Sequence, residues 1–293
     1  MDKVLIIDGH NFLWRANVGF KPPTAPPSPP ANDYWGFESP TVKAPTEEFI
    51  VIFNFFRNLR PVIEQFSPTK CFFVLEGHPQ FRYDLFADYK ANRKIIKLGS
   101  QQENRDNLYK LKDIIVSLLK HLPITIAKAE HYECDDVVAT LAENMKDEDV
   151  TILSNDSDFI QLLQKGYSNV KLYNPYKKDY IMAPDYHYIA WKSLSGDKSD
   201  NIPGLMGDKT AQKTIADPRK FDKFLELEEH RAQFAINRQL IEFRQVPMED
   251  IKIDEGVTNF DLLKQEFVKM EFNSIVNDKS WKKYTDTFKC LRY

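Results

Sequence analysis

The chain has 293 residues, 42% apolar, 13% aromatic and 28% charged, which is ordinary globular composition for one large domain or two small ones. No apolar run approaches the ~18 residues that a bilayer span needs, and the opening MDKVLIIDGH turns acidic too soon for a secretory signal. The formal net charge of −3 argues weakly against a nucleic-acid partner, although the distribution of charge matters more than its sum.

In chain order, Val4–Ile7 reads as a short buried strand ending in Asp8 and Gly9. Residues 20–45 hold eight of the 17 prolines and read as an extended surface insertion, because so much proline forbids helix and central strand alike. Thr46 is a helix cap followed by Glu47 and Glu48, and Phe49, Ile52, Phe53, Phe56, Ile63 and Phe66 recur at helical spacing, with Pro61 expected to kink the helix. A second strand, Cys71–Leu75, ends in Glu76. Residues 82–106 are basic and polar, and Leu108, Leu111, Ile115, Leu118 and Leu119 mark another amphipathic helix. Ile124–Ala127, Val150–Leu153 and Val170–Tyr173 read as further strands, and Asp136–Met145 as helix. Beyond residue 184 the chain reads as all-helical apart from a Gly/Asp/Pro-rich stretch at 195–208. Strands alternating with helices predict an α/β fold with a mainly parallel central sheet flanked by helices. The predicted division is a core at 1–183 and a helical subdomain at 184–293. Three cysteines, Cys71, Cys134 and Cys290, show no metal-ligand spacing and suit a reducing compartment, the cytoplasm.

Three predicted strands end in acid, at Asp8, at Glu76, and at Asp156 with Asp158. Ligands of open α/β sheets bind at the carboxyl ends of strands. Any one of these acids could simply cap the next helix; three together would converge at one edge. Glu133, Asp135 and Asp136 open a helix nearby, and Asp197 and Asp200 lie in the loop SGDKSDN. So many carboxylates repel one another unless cations balance them. An oxygen-only, His-poor cluster suits magnesium or manganese rather than zinc, in the arrangement of two-metal phosphoryl hydrolysis. Setting these nine carboxylates aside leaves a formal +6 on the rest of the protein, compatible with a phosphate-backbone ligand.

At this point the segments FRYDLFADYKANR (81–93), YECDDVVATLA (132–142), ILSNDSDFIQLL (152–163) and SLSGDKSDNIPGL (193–205) become informative. They resemble, in order, the structure-specific 5′ nucleases: the 5′→3′ exonuclease domain of bacterial DNA polymerase I, phage 5′ exonucleases and flap endonucleases. The likeness runs from Lys3 to about residue 245, with a gap over the proline insertion. It implies a PIN-like 5′ nuclease fold, two-metal sites on Asp8, Glu133, Asp135, Asp136, Asp156, Asp158, Asp197 and Asp200, and a basic arch over 82–106. In that arch Lys90 and Arg93 would contact the scissile phosphate and Tyr89 would stack on a base. IPGLMGDKTAQK (202–213) resembles the family's helix–hairpin–helix, so Lys198, Gly204, Gly207, Lys209, Thr210 and Lys213 would hold duplex phosphates.

Two departures stand out. Glu76 replaces the family's usual Asp, though its longer side chain can still reach a metal. The hairpin is about two residues short, which speaks against the family's potassium ion there. The implied protein is a stand-alone, phage-type, Mg²⁺-dependent monomer, with Mn²⁺ as a substitute. It would act in the cytoplasm on flapped, nicked or RNA-primed DNA beside replication proteins, with no membrane partner. A single-strand ribonuclease of related fold and an inactive DNA-binding scaffold are the alternatives.

Overall fold

The computed structural model describes residues 1–18, 49–92 and 100–292, the side chains of 17–18 and 100–109 excepted. The proline-rich insertion, Arg93 and the middle of the expected arch lie outside the described residues.

A seven-stranded sheet organises the chain. Its strands are β1 (Lys3–Asp8), β2 (Lys70–Leu75), β3 (Thr125–Ala129), β4 (Asp149–Leu153), β5 (Val170–Asn174), β6 (Asp179–Ile181) and β7 (Ile251–Glu255). Their spatial order is β6-β5-β4-β1-β2-β3-β7. The five inner strands are parallel, and β6 and β7 close the two edges antiparallel. The apolar runs of the sequence become the parallel strands because those are buried on both faces, where continuous Val, Ile, Leu and Phe are favoured. β1 shows this directly: Val4 and Ile6 face one layer, Leu5 and Ile7 the other, all nearly inaccessible.

On the Leu5/Ile7 face lie α1 (Gly9–Val18), α2 (Ile50–Phe66) and α4 (Ser100–Leu119). On the opposite face lie α5 (Cys134–Asn144) and α6 (Ile160–Gln164), with α3 (Gln80–Leu85) at the carboxyl edge beside them. α2 runs through Pro61 rather than stopping there. The lost backbone bond falls on the carbonyl of Arg57, on the exposed side of the helix, where water can satisfy it.

Beyond residue 184 the helices divide between two places. α7 (Tyr188–Ser195), α8 (Asp208–Ile215), α9 (Pro218–Leu225) and α10 (Glu228–Ile241) form a group at the carboxyl edge of the sheet. α11 (Phe260–Lys269), α12 (Asn273–Val276) and α13 (Asp278–Thr287) pack instead on α2, through Phe56–Phe267 at 5.0 Å and Phe53–Phe272 at 5.3 Å. The all-helical expectation for this region misses β7, and no strand was expected at β6. Both are short, polar edge strands whose side chains are mostly exposed, so neither carries the apolar run that marks the inner strands.

Candidate active site

All five parallel strands end at one edge, and the expected carboxylates gather there. Asp8 is the last residue of β1, Glu76 follows β2, Glu133 caps α5 after β3, and Asp156 and Asp158 follow β4. The loop after α7 brings Asp197 and Asp200 over them. Together with Asp135, in the first turn of α5, these make eight carboxylates that line a single cleft with three cations, Arg82, Lys90 and Lys192. The capping roles that could have explained the acids are present as well. Asp8 accepts from the Asn11 amide (3.0 Å), Asp156 from the Asp158 amide (2.9 Å), and Asp197 from Ser199 N (2.7 Å). Capping fixes these side chains and leaves oxygens facing the cleft.

The ninth expected ligand, Asp136, does not line the cleft. It is completely buried and receives both arms of the Arg82 guanidinium, at 2.6 and 2.8 Å. It also accepts the amides of Arg244 (2.9 Å) and Glu133 (3.2 Å). With both oxygens taken by fixed donors, Asp136 anchors the fold beneath the site instead of facing it. Tyr89, expected to stack on a base, is also buried, at 2% exposure. Its hydroxyl donates toward Glu133 (3.1 Å) and Asp200 (3.3 Å), and its ring packs edge-on to Tyr83. A phenol wedged between two carboxylates has no free face for a base.

Lys90 reaches the cleft as expected. Its ammonium pairs closely with Glu133 and lies 3.8 Å from Asp200. Its backbone sits in the left-handed region (φ 55°), unusual for a side chain of this size, and its amide is held by the Asp200 carbonyl at 2.8 Å. The next turn is pinned by Asn92 to Asn201 (3.0 Å) and by Asn201 to the Asp88 carbonyl (2.9 Å). The YKAN segment and the GDKSDN loop are thus one locked unit, with its strain placed at the lysine.

Sequence reasoning missed Lys192 and Arg82. Lys192 pairs with Asp158 and, at 2.7 Å, with Asp197. Burial opposes its charge, but Asp158, then Tyr188 and Asp197, hold it firmly protonated. Its signal was present: a lysine among Tyr188, Ile189 and Ser193 on the buried face of α7. Arg82 is 2% exposed and also reaches Glu133 at 3.0 Å; it was read as one more charge in a basic stretch. Ser154 was missed too; its hydroxyl donates to Asp8 at 2.7 Å.

The electrostatics test whether cations fit. Burial, then the charge of Glu133, pushes Glu76 up to about 7. Burial, then Asp158, does the same to Asp156, also to about 7. Burial, then Asp156 and Asp8, holds Asp135 well above the carboxylate range. Burial alone would raise Asp197, but Lys192 brings it down to about 2. Three carboxylates here are therefore short of positive charge even with the cleft cations in place. That is the condition under which divalent ions bind hard-oxygen ligands. Glu76 belongs to the group despite its length, although one oxygen accepts the Cys134 amide (2.9 Å). The potential ligand atoms of Asp8, Cys134 and Asp135 lie within 4.8 Å of one another. Burial, then Asp8, raises the Cys134 thiol well above its usual range.

None of the expected duplex-binding residues lines the cleft. Lys198, Gly204, Gly207, Lys209, Thr210 and Lys213 are all exposed, the last four at or after the start of α8. Gly196 (φ 76°) and Gly204 are in backbone contact; a Cβ on Gly196 would meet the Gly204 nitrogen at 2.5 Å, so the loop closes only with glycine there.

A family model described as "5'-3' exonuclease, N-terminal resolvase-like domain" matches residues 3–190, more than half of the chain. The 5'-3' exonuclease of Bacillus subtilis is 34% identical over 189 residues, spanning 59% of this chain and 60% of that protein. DNA polymerase I of the same organism is 29% identical over 209 residues, 66% of this chain but only 23% of the polymerase. The chain thus spans less than two thirds of either relative's length. In overall fold it is similar to the T5 D15 protein co-crystallized with metal ions (TM-score 0.60, 16% identity, covering 98% of this chain and 99% of that one). It is equally similar to T5 5'-exonuclease with bound divalent metal ions (zinc), at TM-score 0.59.

Proposed function

The chain belongs to the 5′-3′ exonuclease family, and on that footing we propose that it is a metal-dependent, structure-specific 5′ nuclease. It hydrolyses phosphodiester bonds near the 5′ ends of flapped, nicked or RNA-primed duplexes in DNA replication or repair. The observation that carries this reading is the cleft itself: eight carboxylates against three cations, with Lys90 locked over them. Asp8, Glu76, Glu133, Asp135, Asp156, Asp158, Asp197 and Asp200 would hold two Mg²⁺ ions, with Mn²⁺ as substitute. Such ions, when bound, acidify water and stabilise charge on phosphate oxygens.

The chain's own residues do the rest. Lys90 brings a positive charge to the phosphate as it becomes pentavalent, and Arg93 is its proposed partner. Lys192 pairs with Asp158 and Asp197, orienting both and keeping Asp197 anionic. The helices of residues 188–241 form the duplex-binding unit. In it Lys198, Lys209, Thr210 and Lys213 and the amides around Gly204 and Gly207 meet the phosphates without reading bases. Among the described residues no helix is long and apolar enough to cross a membrane, and the three cysteines are free thiols. Free thiols suit a reducing compartment, and our reading places this work in the cytoplasm.

The test is a panel of 5′-labelled substrates: a flapped duplex, a nicked duplex and single-stranded RNA, with Mg²⁺ or EDTA. Cleavage of the flapped duplex near its junction, in Mg²⁺ only, is expected. Cleavage of RNA alone would make the protein a ribonuclease, and binding without cleavage in any metal would make it a scaffold.

A further inference from the structure

α10 touches both halves of the molecule through buried polar groups that the proposed chemistry does not use. Asn237 is fully buried in it. Its amide donates to the carbonyls of Ser193 (2.9 Å) and Pro203 (2.7 Å), which end α7 and begin the hairpin. Its own carbonyl accepts from Gln233 at 2.9 Å, so every strong group of the side chain is satisfied. One turn later come Leu240 and Ile241, on the same helical face. Arg82 Nε donates to the Leu240 carbonyl at 3.1 Å, and the same guanidinium holds Asp136 and reaches Glu133. Gln161, 1% exposed, donates to the Ile241 carbonyl at 3.3 Å and accepts from the Phe243 amide at 3.0 Å. It sits three residues after Asp158. The two carbonyls at the end of α10 are therefore tied, through Arg82, to Glu133 of the cleft and, through Gln161, to the helix that follows Asp158, and Asn237 ties α10 to the hairpin.

We propose that α10 is a strut coupling duplex binding at the hairpin to the geometry of the carboxylate cleft, with Asn237, Arg82 and Gln161 as positioning residues. This rests on the reading of the cleft as a metal centre and of the hairpin as a duplex site. A helix is stiff over a single turn, whose three residues rise only ~4.5 Å. Ordering the hairpin on a duplex fixes Asn237, hence the Leu240 and Ile241 carbonyls, hence Arg82 and Gln161. Glu133 and Asp158 are then held where a metal needs them. Binding linkage is reciprocal, so duplex should tighten metal and metal should tighten duplex by the same factor.

The experiment is a Mn²⁺ titration of the full chain, read by the EPR signal of free Mn²⁺, with and without a closed stem-loop duplex that has no 5′ flap. In the wild type the duplex is expected to tighten Mn²⁺ by roughly five- to tenfold, the low end of ordinary linkage. Arg82→Lys keeps a buried cation against Asp136 but loses the planar fork. It should cut the tightening to about twofold or less, taken as the ratio of Mn²⁺ affinities with and without duplex, since Arg82 itself contacts Glu133 in the cleft and shifts the duplex-free value too. Asn237→Ser should do the same, and the double variant should lose nothing further, because both act in one chain. Should Asn237→Ser fail to fold, Gln233→Ala removes only the bond that orients the Asn237 amide, and should lose part of the effect. Full tightening in both folded single variants, or none in the wild type, would overturn the strut. Cleavage of a flapped duplex by the wild type is scored separately. Linkage without cleavage would sink the nuclease reading and keep the strut; cleavage without linkage would do the reverse.

Discussion

The same strands build two regions of opposite character. On one face of the sheet, Leu5, Ile7 and Phe73 join Phe55, Phe56, Phe267, Phe272 and Phe288 in a nearly dry aromatic core. At the carboxyl edge, one residue beyond Ile7 on the same β1, Asp8 begins a cleft in which like charges are stacked and partly buried. The first region has almost nothing unsatisfied and supplies the hydrophobic stabilisation. The second is short of positive charge and lowers stability by itself. The contrast teaches that the core fixes where the strands end, and the strand ends then force the acids together at a cost the core offsets.

The sharpest way to separate the regions is to change one group in each. Lys90→Ala removes a cleft charge that acts mainly on the transition state. The single-turnover rate should fall on the order of 10²–10³-fold while duplex affinity changes only a few-fold. A loss confined to affinity, with the chemical step intact, would demote Lys90 to a backbone contact. Phe267→Ala removes the ring that meets Phe56 at 5.0 Å and Phe272 at 5.2 Å. It should destabilise the fold by about 3–5 kcal/mol in denaturant melts and leave metal affinity unaltered. A matching change in metal affinity would show that core and cleft are not separable.

How much of this was legible follows the same division. The inner strands were readable to within a residue or two because doubly buried parallel strands must be continuous apolar runs. The acids at their ends were readable because spacing from those runs put them at one edge. β6 and β7 were not, since an exposed edge strand imposes no pattern that charged side chains violate. Nor were the pairings beneath the acids. Asp136 and Asp135 are chain neighbours on the first turn of α5, yet one faces the cleft and the other faces Arg82. That choice depends on Arg82 arriving from another segment. Tyr89 likewise looked like a stacking surface because nothing local shows that Glu133 and Asp200 close over its hydroxyl.

pH sharpens the contrast further. Glu76 and Asp156 are raised by burial and by like charge, to about 7 in the folded protein against about 4.5 and 3.8 unfolded. The folded state therefore binds more protons than the unfolded one between those limits, and stability falls as pH rises through that window. The metal-free protein should melt at lower temperature at pH 8 than at pH 5, and Mg²⁺ should raise the melting temperature more at pH 8. A metal-free protein that gains stability over that range would mean the cleft acids are already compensated.

The smallest expected effect lies in the core. Asn54, on α2, is 3% exposed, and both its side-chain oxygen and nitrogen are buried without a hydrogen-bond partner among the described residues. It is the core's own exception to the contrast. Asn54→Leu should stabilise the protein by about 1 kcal/mol, because it removes two orphaned polar atoms while keeping the same branching and number of side-chain heavy atoms. A destabilised variant would show that the amide is satisfied in solution.

As the divalent-metal centre proposed for phosphodiester hydrolysis, the carboxylate cleft must fail once one of its charges is removed. Single-turnover cleavage of a 5′-flapped duplex by Asp156→Asn, across a Mg²⁺ titration and beside the wild type, tests it most directly. Asn keeps the volume and still accepts the Asp158 amide, but removes a charge. Cleavage is expected to be lost at every Mg²⁺ concentration while the folded protein still binds the duplex. Undiminished cleavage by Asp156→Asn, or full wild-type activity in EDTA, would contradict it.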